Sequence, residues 1–165
     1  YEQVNLNHAV RNLTALVSHE IQRHEIELIL DLDQGIPEVE GNLIQIEQVI
    51  LNFIRNGIEA MEEGGTLTIT TKQKPDGILV EFRDTGAGIP PDILDKIFQP
   101  FYSTKAKGSG LGLAIVKKIV EEHSGMIAAE SSPAGGARIR IRLQAGEAGQ
   151  EEAAPEDRAS FAGND

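Results

Sequence analysis

Thirty residues in the middle of the chain, Asp84 to Leu113, decide what the rest of it can be. Asp84-Thr85-Gly86-Ala87-Gly88-Ile89-Pro90 opens the stretch and Gly108-Ser109-Gly110-Leu111-Gly112-Leu113 closes it. Between them, Ile97-Phe98-Gln99-Pro100-Phe101-Tyr102-Ser103-Thr104-Lys105 carries three aromatic side chains in a chain with two Tyr, five Phe and no Trp. A glycine-rich segment of this length with so little strand pattern is more often a functional lid than a passive connection. The remaining residues then form the scaffold that holds it.

That scaffold can be read from its apolar periodicity. Leu6, Val10, Leu13, Val17 and Ile21 recur at helical spacing, which predicts one amphipathic helix from Asn5 to about His24. Ile26, Leu28, Leu30 and Leu32 alternate with Glu27, Ile29, Asp31 and Asp33 as in a half-buried strand, and Gly35-Ile36-Pro37 stops it. Asn42 is placed to cap a long helix reaching Met61, with Ile46, Val49, Ile50, Phe53, Gly57 and Met61 on one face and Gly64-Gly65 beyond. Thr66 to Thr71 and Ile78 to Phe82 alternate around the turn Lys74-Pro75-Asp76-Gly77, so they predict a hairpin that delivers Asp84 at its end. A helix follows from Leu111 to His123, then a strand pair, Met126 to Ser131 and Arg138 to Leu143. In the last strand Ile139, Ile141 and Leu143 face inward, while Arg138, Arg140 and Arg142 are expected on a solvated outer face. The order predicts an α/β (α+β) two-layer sandwich: a mixed, mostly antiparallel sheet with its helices on one face.

At 165 residues this is one domain with room for a core. A net charge of −11 argues against a nucleic-acid partner, because phosphate neutralisation needs a cationic face. Much of that charge sits beyond Gln144, where Glu147, Glu151, Glu152, Glu156, Asp157 and Asp165 face only Arg158. Residues 1–143 are thus expected to be the folded domain and 144–165 an acidic, disordered tail or linker. The absence of cysteine excludes thiolate chemistry and allows a cytoplasmic setting. No apolar run reaches membrane-spanning length. Because the chain opens on Tyr1 rather than Met, it is expected to be a piece of a longer protein, whose membrane attachment stays open.

Three clusters carry chemistry. On the Asn42 helix, Gln45, Gln48, Asn52, Arg55, Asn56 and Glu59 share a polar stripe, which on most helices simply faces water. Asn56-Gly57 in mid-helix, however, costs about 1–2 kcal/mol relative to alanine, and a function should offset that. Asn52 and Asn56, one turn apart, can offer two neutral oxygens to Mg²⁺. Asp84, at a strand end before two glycines, can accept a hydrogen bond from an exocyclic amine such as that of adenine, although an Asp-Gly turn is the plainer reading. Gly108, Gly110 and Gly112 precede a helix whose N–H groups and dipole can meet an anion, with Lys105 and Lys107 beside them. This spacing is neither the dinucleotide fingerprint nor a Walker A loop.

In that order the clusters resemble the N, G1 and G2 boxes, with an F box between, of the catalytic ATP-binding domain of sensor histidine kinases, within the Bergerat-fold ATPases. The resemblance runs over Asn52 to Met61, Asp84 to Ile89, Phe98 to Lys105 and Gly108 to Leu113, and covers about Asn5 to Leu143. It implies that Asn56 coordinates Mg²⁺ with Asn52 assisting, and that Asp84 takes the adenine amino group. Gly86 and Gly88 then make room for the base beside Ile89. Tyr102 covers the ring in a wall with Phe101, Ser103 and Thr104, and Lys105 with the backbone of Gly108, Ser109, Gly110, Leu111, Gly112 and Leu113 holds the phosphates of ATP. It further implies a protein-histidine kinase that passes the γ-phosphoryl group to a histidine on a separate dimerisation domain, serves a response regulator, and is monomeric as an isolated domain.

Two departures from the family pattern matter. Many members carry Lys where this chain has Glu59 and Arg where it has Ser103, so Arg55 and Lys105 are the cations expected to meet phosphate charge. Related hydrolases such as DNA gyrase have a water-activating Glu at the position of Asn52, and an amide cannot act as that base, which favours transfer to a protein acceptor over hydrolysis. Ser18-His19-Glu20-Ile21 begins like a phospho-acceptor box, yet Gln22-Arg23-His24 lacks its proline and too few residues separate His19 from Asn52 for a helical hairpin. His19 is therefore expected to be a surface helix residue. The rival readings are a non-catalytic nucleotide-binding signalling module, a serine kinase of the anti-sigma type on the same fold, and an aspartic protease suggested by Asp84-Thr85-Gly86. The protease reading lacks the second carboxylate that such a site needs.

Overall fold

The structure is a computed structural model and describes residues 1–100, 112–131 and 135–146. In chain order the elements are β1 (Glu2–Val4), α1 (Leu6–Leu16), α2 (Ser18–Arg23), β2 (Ile26–Leu32), β3 (Val39–Gly41) and α3 (Leu43–Ala60). They continue with β4 (Gly65–Lys74), β5 (Gly77–Asp84), a short 3₁₀ turn (Pro91–Ile93), α4 (Gly112–Glu122), β6 (Met126–Ser131) and β7 (Ala137–Leu143).

The main sheet has the order β2-β4-β5-β7-β6, with β2 parallel to β4 and the other three pairs antiparallel. Turn chemistry explains the central hairpin: Lys74 pairs with Gly77, whose φ of 148° places it where a side chain would strike the Leu143 carbonyl. The helices pack on one face. Leu6, Val10 and Leu13 of α1, Ile46, Val49, Ile50 and Phe53 of α3, and Val116, Ile119 and Val120 of α4 meet Leu67, Ile69, Val80, Phe82 and Ile141 of the sheet in a single core. Phe53 and Phe82 lie with ring centroids 5.4 Å apart at its centre.

The expected elements are present, with three differences. The single N-terminal helix is two, broken at Val17, whose ψ of 18° leaves the helical range. The buried stripe nonetheless continues through Leu13, Val17 and Ile21, so the packing that set the periodicity is kept across the break. β1 and β3 form an additional two-stranded sheet of three residues each, too short for an alternating pattern to register in the sequence. The third difference is the outer face of β7. Strand parity places Arg138, Arg140 and Arg142 there as anticipated, but they are not solvated: Arg140 and Arg142 retain 4% and 3% of side-chain exposure. Each is held in an ion pair: Arg140 with Glu130 at 2.9 Å and Arg138 with Glu130 and Glu81 across strands, and Arg142 with Asp76 in the β4–β5 turn.

Pairing also continues past Leu143. Ala145 bridges Val39 and is buried, and the Gly146 N–H donates to the Glu38 carbonyl at 2.9 Å. The chain beyond β7 is thereby tied to the small sheet through Gly146.

Candidate nucleotide site

α3 is the element on which the site is built. Asn42 caps it, its side-chain oxygen accepting from the Gln45 N–H at 3.0 Å. The same residue's backbone N–H donates to Nε2 of His123 at 3.1 Å, while Nδ1 of that ring lies 2.8 Å from the Ile119 carbonyl. Since Nε2 accepts, the proton sits on Nδ1, and the neutral imidazole clamps the end of α4 to the start of α3. The two helices that flank the candidate site are thus fixed to each other away from it.

Along α3, the Asn56 side-chain N–H donates to Oδ1 of Asn52 at 3.2 Å, so the two amides one turn apart form a half-buried pair. The first residue of α4, Gly112, lies against them: a Cβ on it would stand 3.0 Å from Nδ2 of Asn52. Glycine here brings the first turn of α4, with the positive end of its dipole, beside the amide pair. Gly57 has a different reason. A Cβ there would lie 2.9 Å from Leu67 and 3.9 Å from Cβ of Asp84, so the helix backbone sits directly on the strand end that carries the carboxylate. One turn of α3 therefore touches both halves of the predicted site.

Asp84 is buried at the end of β5, and its Oδ1 accepts from the N–H groups of Gly86 at 2.9 Å and Ala137 at 3.2 Å. Burial raises its pKa above the ordinary value of 3.8, and these two backbone donors only partly offset that desolvation. Both bonds fall on Oδ1. Among the described residues Oδ2 has no such partner, which leaves an acceptor for an incoming N–H donor.

The loop after Asp84 is fixed on three sides. The Thr85 hydroxyl accepts from the Thr66 N–H at 3.0 Å and lies 3.5 Å from the Met61 sulfur. Gly86 packs on the end of α3, where a Cβ would stand 2.4 Å from the Ala60 carbonyl. Gly88 adopts φ 80° with its Cα against Gly136. Ile89 is held through its backbone by Ser131 of β6, whose hydroxyl donates to the Ile89 carbonyl. The structure thus gives Gly86 and Gly88 packing reasons of their own, whatever room they leave for a base.

Several of these residues were not legible as functional. Gly136 stands with φ 85° directly behind Asp84, where a Cβ would be 2.0 Å from its carbonyl oxygen, and Ala137 supplies one of its two donors. The doublet Gly135-Gly136 reads in sequence only as a turn. Met61 and Thr85 fall inside the motif stretches but have no role assigned there, and His123 reads only as a helix end. Arg55 is exposed on α3 and Leu113 is partly buried against the core. Phe101, Tyr102, Ser103, Thr104, Lys105, Gly108, Ser109, Gly110 and Leu111 lie outside the described residues. His19 is exposed on α2, as a surface helix residue should be. Among the described residues there is no cluster of three or more His, Cys, Asp or Glu able to hold a metal, and no helix long and apolar enough to cross a membrane. A divalent cation held by Asn56, Asn52 and substrate phosphates would need no such cluster.

Comparison with known proteins converges on one group. The family described as histidine kinase-, DNA gyrase B-, and HSP90-like ATPase matches residues 41–147. The sensor histidine kinase ZraS of Escherichia coli O157:H7 is 36% identical over 142 residues, covering 86% of this chain and 31% of the relative. The chain thus spans about a third of the length of such curated relatives. Among solved structures, the nucleotide-free catalytic domain of histidine kinase ThkA superposes with a TM-score of 0.80 at 32% identity, over 87% of this chain and 94% of that one. A structure of ThkA in complex with the response regulator TrrA matches with a TM-score of 0.76 at 31% identity, over 86% of this chain and 41% of that one.

Proposed function

The chain belongs to the histidine kinase-, DNA gyrase B- and HSP90-like ATPase family, and from that membership we propose that it is the catalytic domain of a two-component sensor histidine kinase. The observation that carries this reading is the single turn of α3 at Asn56-Gly57. It sets an amide pair against the N-terminus of α4 on one side and, through the missing Cβ, a half-satisfied buried carboxylate on the other.

ATP fits that arrangement end to end. The exocyclic amine of adenine donates to Oδ2 of Asp84, whose other oxygen is already fixed by Gly86 and Ala137. The triphosphate runs towards Asn52 and Asn56, where the α4 N-terminus offers positive potential and Arg55 and Lys105 add cationic charge. Mg²⁺ would supply neutralisation of the phosphate charge at this end of the site. Asn56 would hold it, with Asn52, whose oxygen accepts from the Asn56 amide, keeping that side chain oriented.

Phosphoryl transfer demands little covalent help from the protein, so positioning and electrostatics supply most of the acceleration. A neutral imidazole nitrogen on a separate dimerisation domain attacks the γ-phosphorus in line. The N–P bond forms as the bond to ADP breaks, and ADP leaves as the anion. Asn52 has no basic lone pair with which to activate water, which is consistent with a protein acceptor and slow hydrolysis. In this reading residues 1–143 form the catalytic domain and 144–165 an acidic tail or linker, whose first residues Ala145 and Gly146 still pair with the small sheet. The setting is cytoplasmic, with the longer kinase free to be membrane-anchored, and the phosphoryl group passes from the acceptor histidine to a response regulator.

The test is transfer of label from [γ-³²P]ATP to a separately produced dimerisation domain of the same kinase. Acid-labile, base-stable label on a histidine supports the reading. Nucleotide binding with no label on that domain would instead favour a non-catalytic signalling module.

A further inference from the structure

We propose that Met61 is a positioning residue for adenine recognition, an inference that rests on the nucleotide reading of Asp84: its thioether holds the peptide unit between Asp84 and Thr85. Met61 is the C-cap of α3 and only 2% exposed. Its backbone is fixed on both sides, the N–H donating to the Ile58 carbonyl at 3.1 Å and the carbonyl accepting from the Gly64 N–H at 3.0 Å. For packing alone, any apolar side chain of similar volume would serve here.

The sulfur does more than fill space. The Thr85 N–H donates to it at 3.4 Å, and the Thr85 hydroxyl donates to it at 3.5 Å while accepting from the Thr66 N–H at 3.0 Å. A thioether is a weak but polarizable acceptor, so it can take both donors. Among the described residues the Thr85 N–H has no other acceptor. Gly65 makes the room: at φ 151°, a Cβ on it would stand 2.5 Å from the Met61 sulfur and 2.7 Å from the Thr85 hydroxyl oxygen. Met61, Gly65 and Thr85 are thus fitted to one another at the end of α3.

What this anchor fixes is Asp84. The peptide plane between Asp84 and Thr85 is held at both edges, its carbonyl oxygen packed against Gly136 and its N–H held by the sulfur. The next N–H, that of Gly86, reaches back to Oδ1 of Asp84 at 2.9 Å, so the tilt of this plane sets where the carboxylate points. Met61 also ends the helix that carries Asn52 and Asn56, and so ties the adenine end of the site to the phosphate end. With a methylene in place of the sulfur, the half-buried Thr85 N–H loses its acceptor and the plane turns towards water to regain one.

Norleucine makes that exchange of sulfur for methylene while keeping length and shape. The chain has two methionines, and Met126 is 41% exposed on β6, so norleucine incorporation in a Met126→Leu background alters position 61 alone; Met61→Leu is the genetically encoded counterpart. Two measurements apply: amide hydrogen exchange of the nucleotide-free chain, and calorimetric titration with a non-hydrolysable ATP analogue and with its counterpart built on unsubstituted purine, which lacks the exocyclic amine. Faster exchange at Thr85 and Gly86 is expected, together with a preference for adenine over purine that falls about 3- to 10-fold while the purine analogue binds as before. A purely structural role would weaken both nucleotides alike. Equal weakening, an unchanged preference, or unaltered exchange at Thr85 overturns the proposal and leaves the nucleotide site standing. A wild type that binds neither analogue would instead overturn the nucleotide reading, and the positioning role with it.

Discussion

Gly135 and Gly136 are neighbours with nearly the same left-handed backbone, φ 94° and φ 85°, yet their surroundings differ completely. Among the described residues nothing lies within 4 Å of where a Cβ on Gly135 would stand, whereas at Gly136 it would be 2.0 Å from the carbonyl oxygen of Asp84 and 2.8 Å from Cα of Thr85. Gly135→Ala should therefore show only the left-handed penalty, about 1–2 kcal/mol. Gly136→Ala adds overpacking of about 1–3 kcal/mol against backbone, which no rotamer change can relieve, for a total of about 2–5 kcal/mol. In a domain of this size each kcal/mol is about 2–4 °C, so the expected losses in Tm are about 2–8 °C and about 4–20 °C. The two should separate further in function, because displacing the Asp84 carbonyl moves the carboxylate and the Ala137 donor together. Paired urea unfolding and calorimetric titration with a non-hydrolysable ATP analogue would measure both. If the two variants lose stability equally, or if Gly136→Ala binds nucleotide as well as Gly135→Ala does, the packing of the β6–β7 turn against Asp84 is not what positions that side chain.

Two more outcomes follow from the same geometry. Because burial raises the Asp84 pKa above 3.8, its ionised form costs stability: that cost is absent below 3.8, grows as pH rises through the interval up to the raised value, and is complete above it. Urea unfolding of wild type and Asp84→Asn across acid to neutral pH should accordingly show the stability difference shifting in favour of Asn over that interval and flattening above it. A difference independent of pH would contradict it. Asn56→Asp sets a carboxylate beside the phosphates, so nucleotide binding without Mg²⁺ should weaken more than binding with it, read as a larger ratio of the two dissociation constants. An unchanged ratio would remove Asn56 from the metal site.

The layer architecture could be read from the sequence because its determinants are local and repeated. Helical spacing in α3 and α4, alternation in β2, β4 and β5, and the Pro-Asp-Gly turn each repeat one rule over several residues. β1 and β3 could not be read, since three residues carry no period and their pairing is long-range. The arginines of β7 show another limit. Alternation fixed which face they occupy but said nothing of what lies over that face, and burial is a tertiary property. At the site, Asn52, Asn56, Asp84 and Gly112 stood out because such residues are locally unfavourable where they occur. The groups behind Asp84, the Ala137 N–H and Gly136, act through backbone over 53 and 52 positions in sequence, and the His123 ring that fixes the start of α3 does so through the Asn42 N–H 81 positions away. A backbone N–H has no signature in a residue string, so such second partners are visible only once the chain has folded.

In the proposed function Asp84 recognises the adenine amine through the oxygen that Gly86 and Ala137 leave open. Calorimetric titration of a non-hydrolysable ATP analogue with Mg²⁺ into the wild type and Asp84→Asn tests it most directly. In the variant, the amide oxygen keeps the two backbone bonds and the NH₂ group faces the donor amine, so a charge-assisted bond of about 1.5–3 kcal/mol is lost. Saturable one-to-one binding is expected of the wild type, weakened about 10- to 150-fold in the variant. Equal affinity of the two proteins, or an ATP analogue that the wild type does not bind, would contradict it.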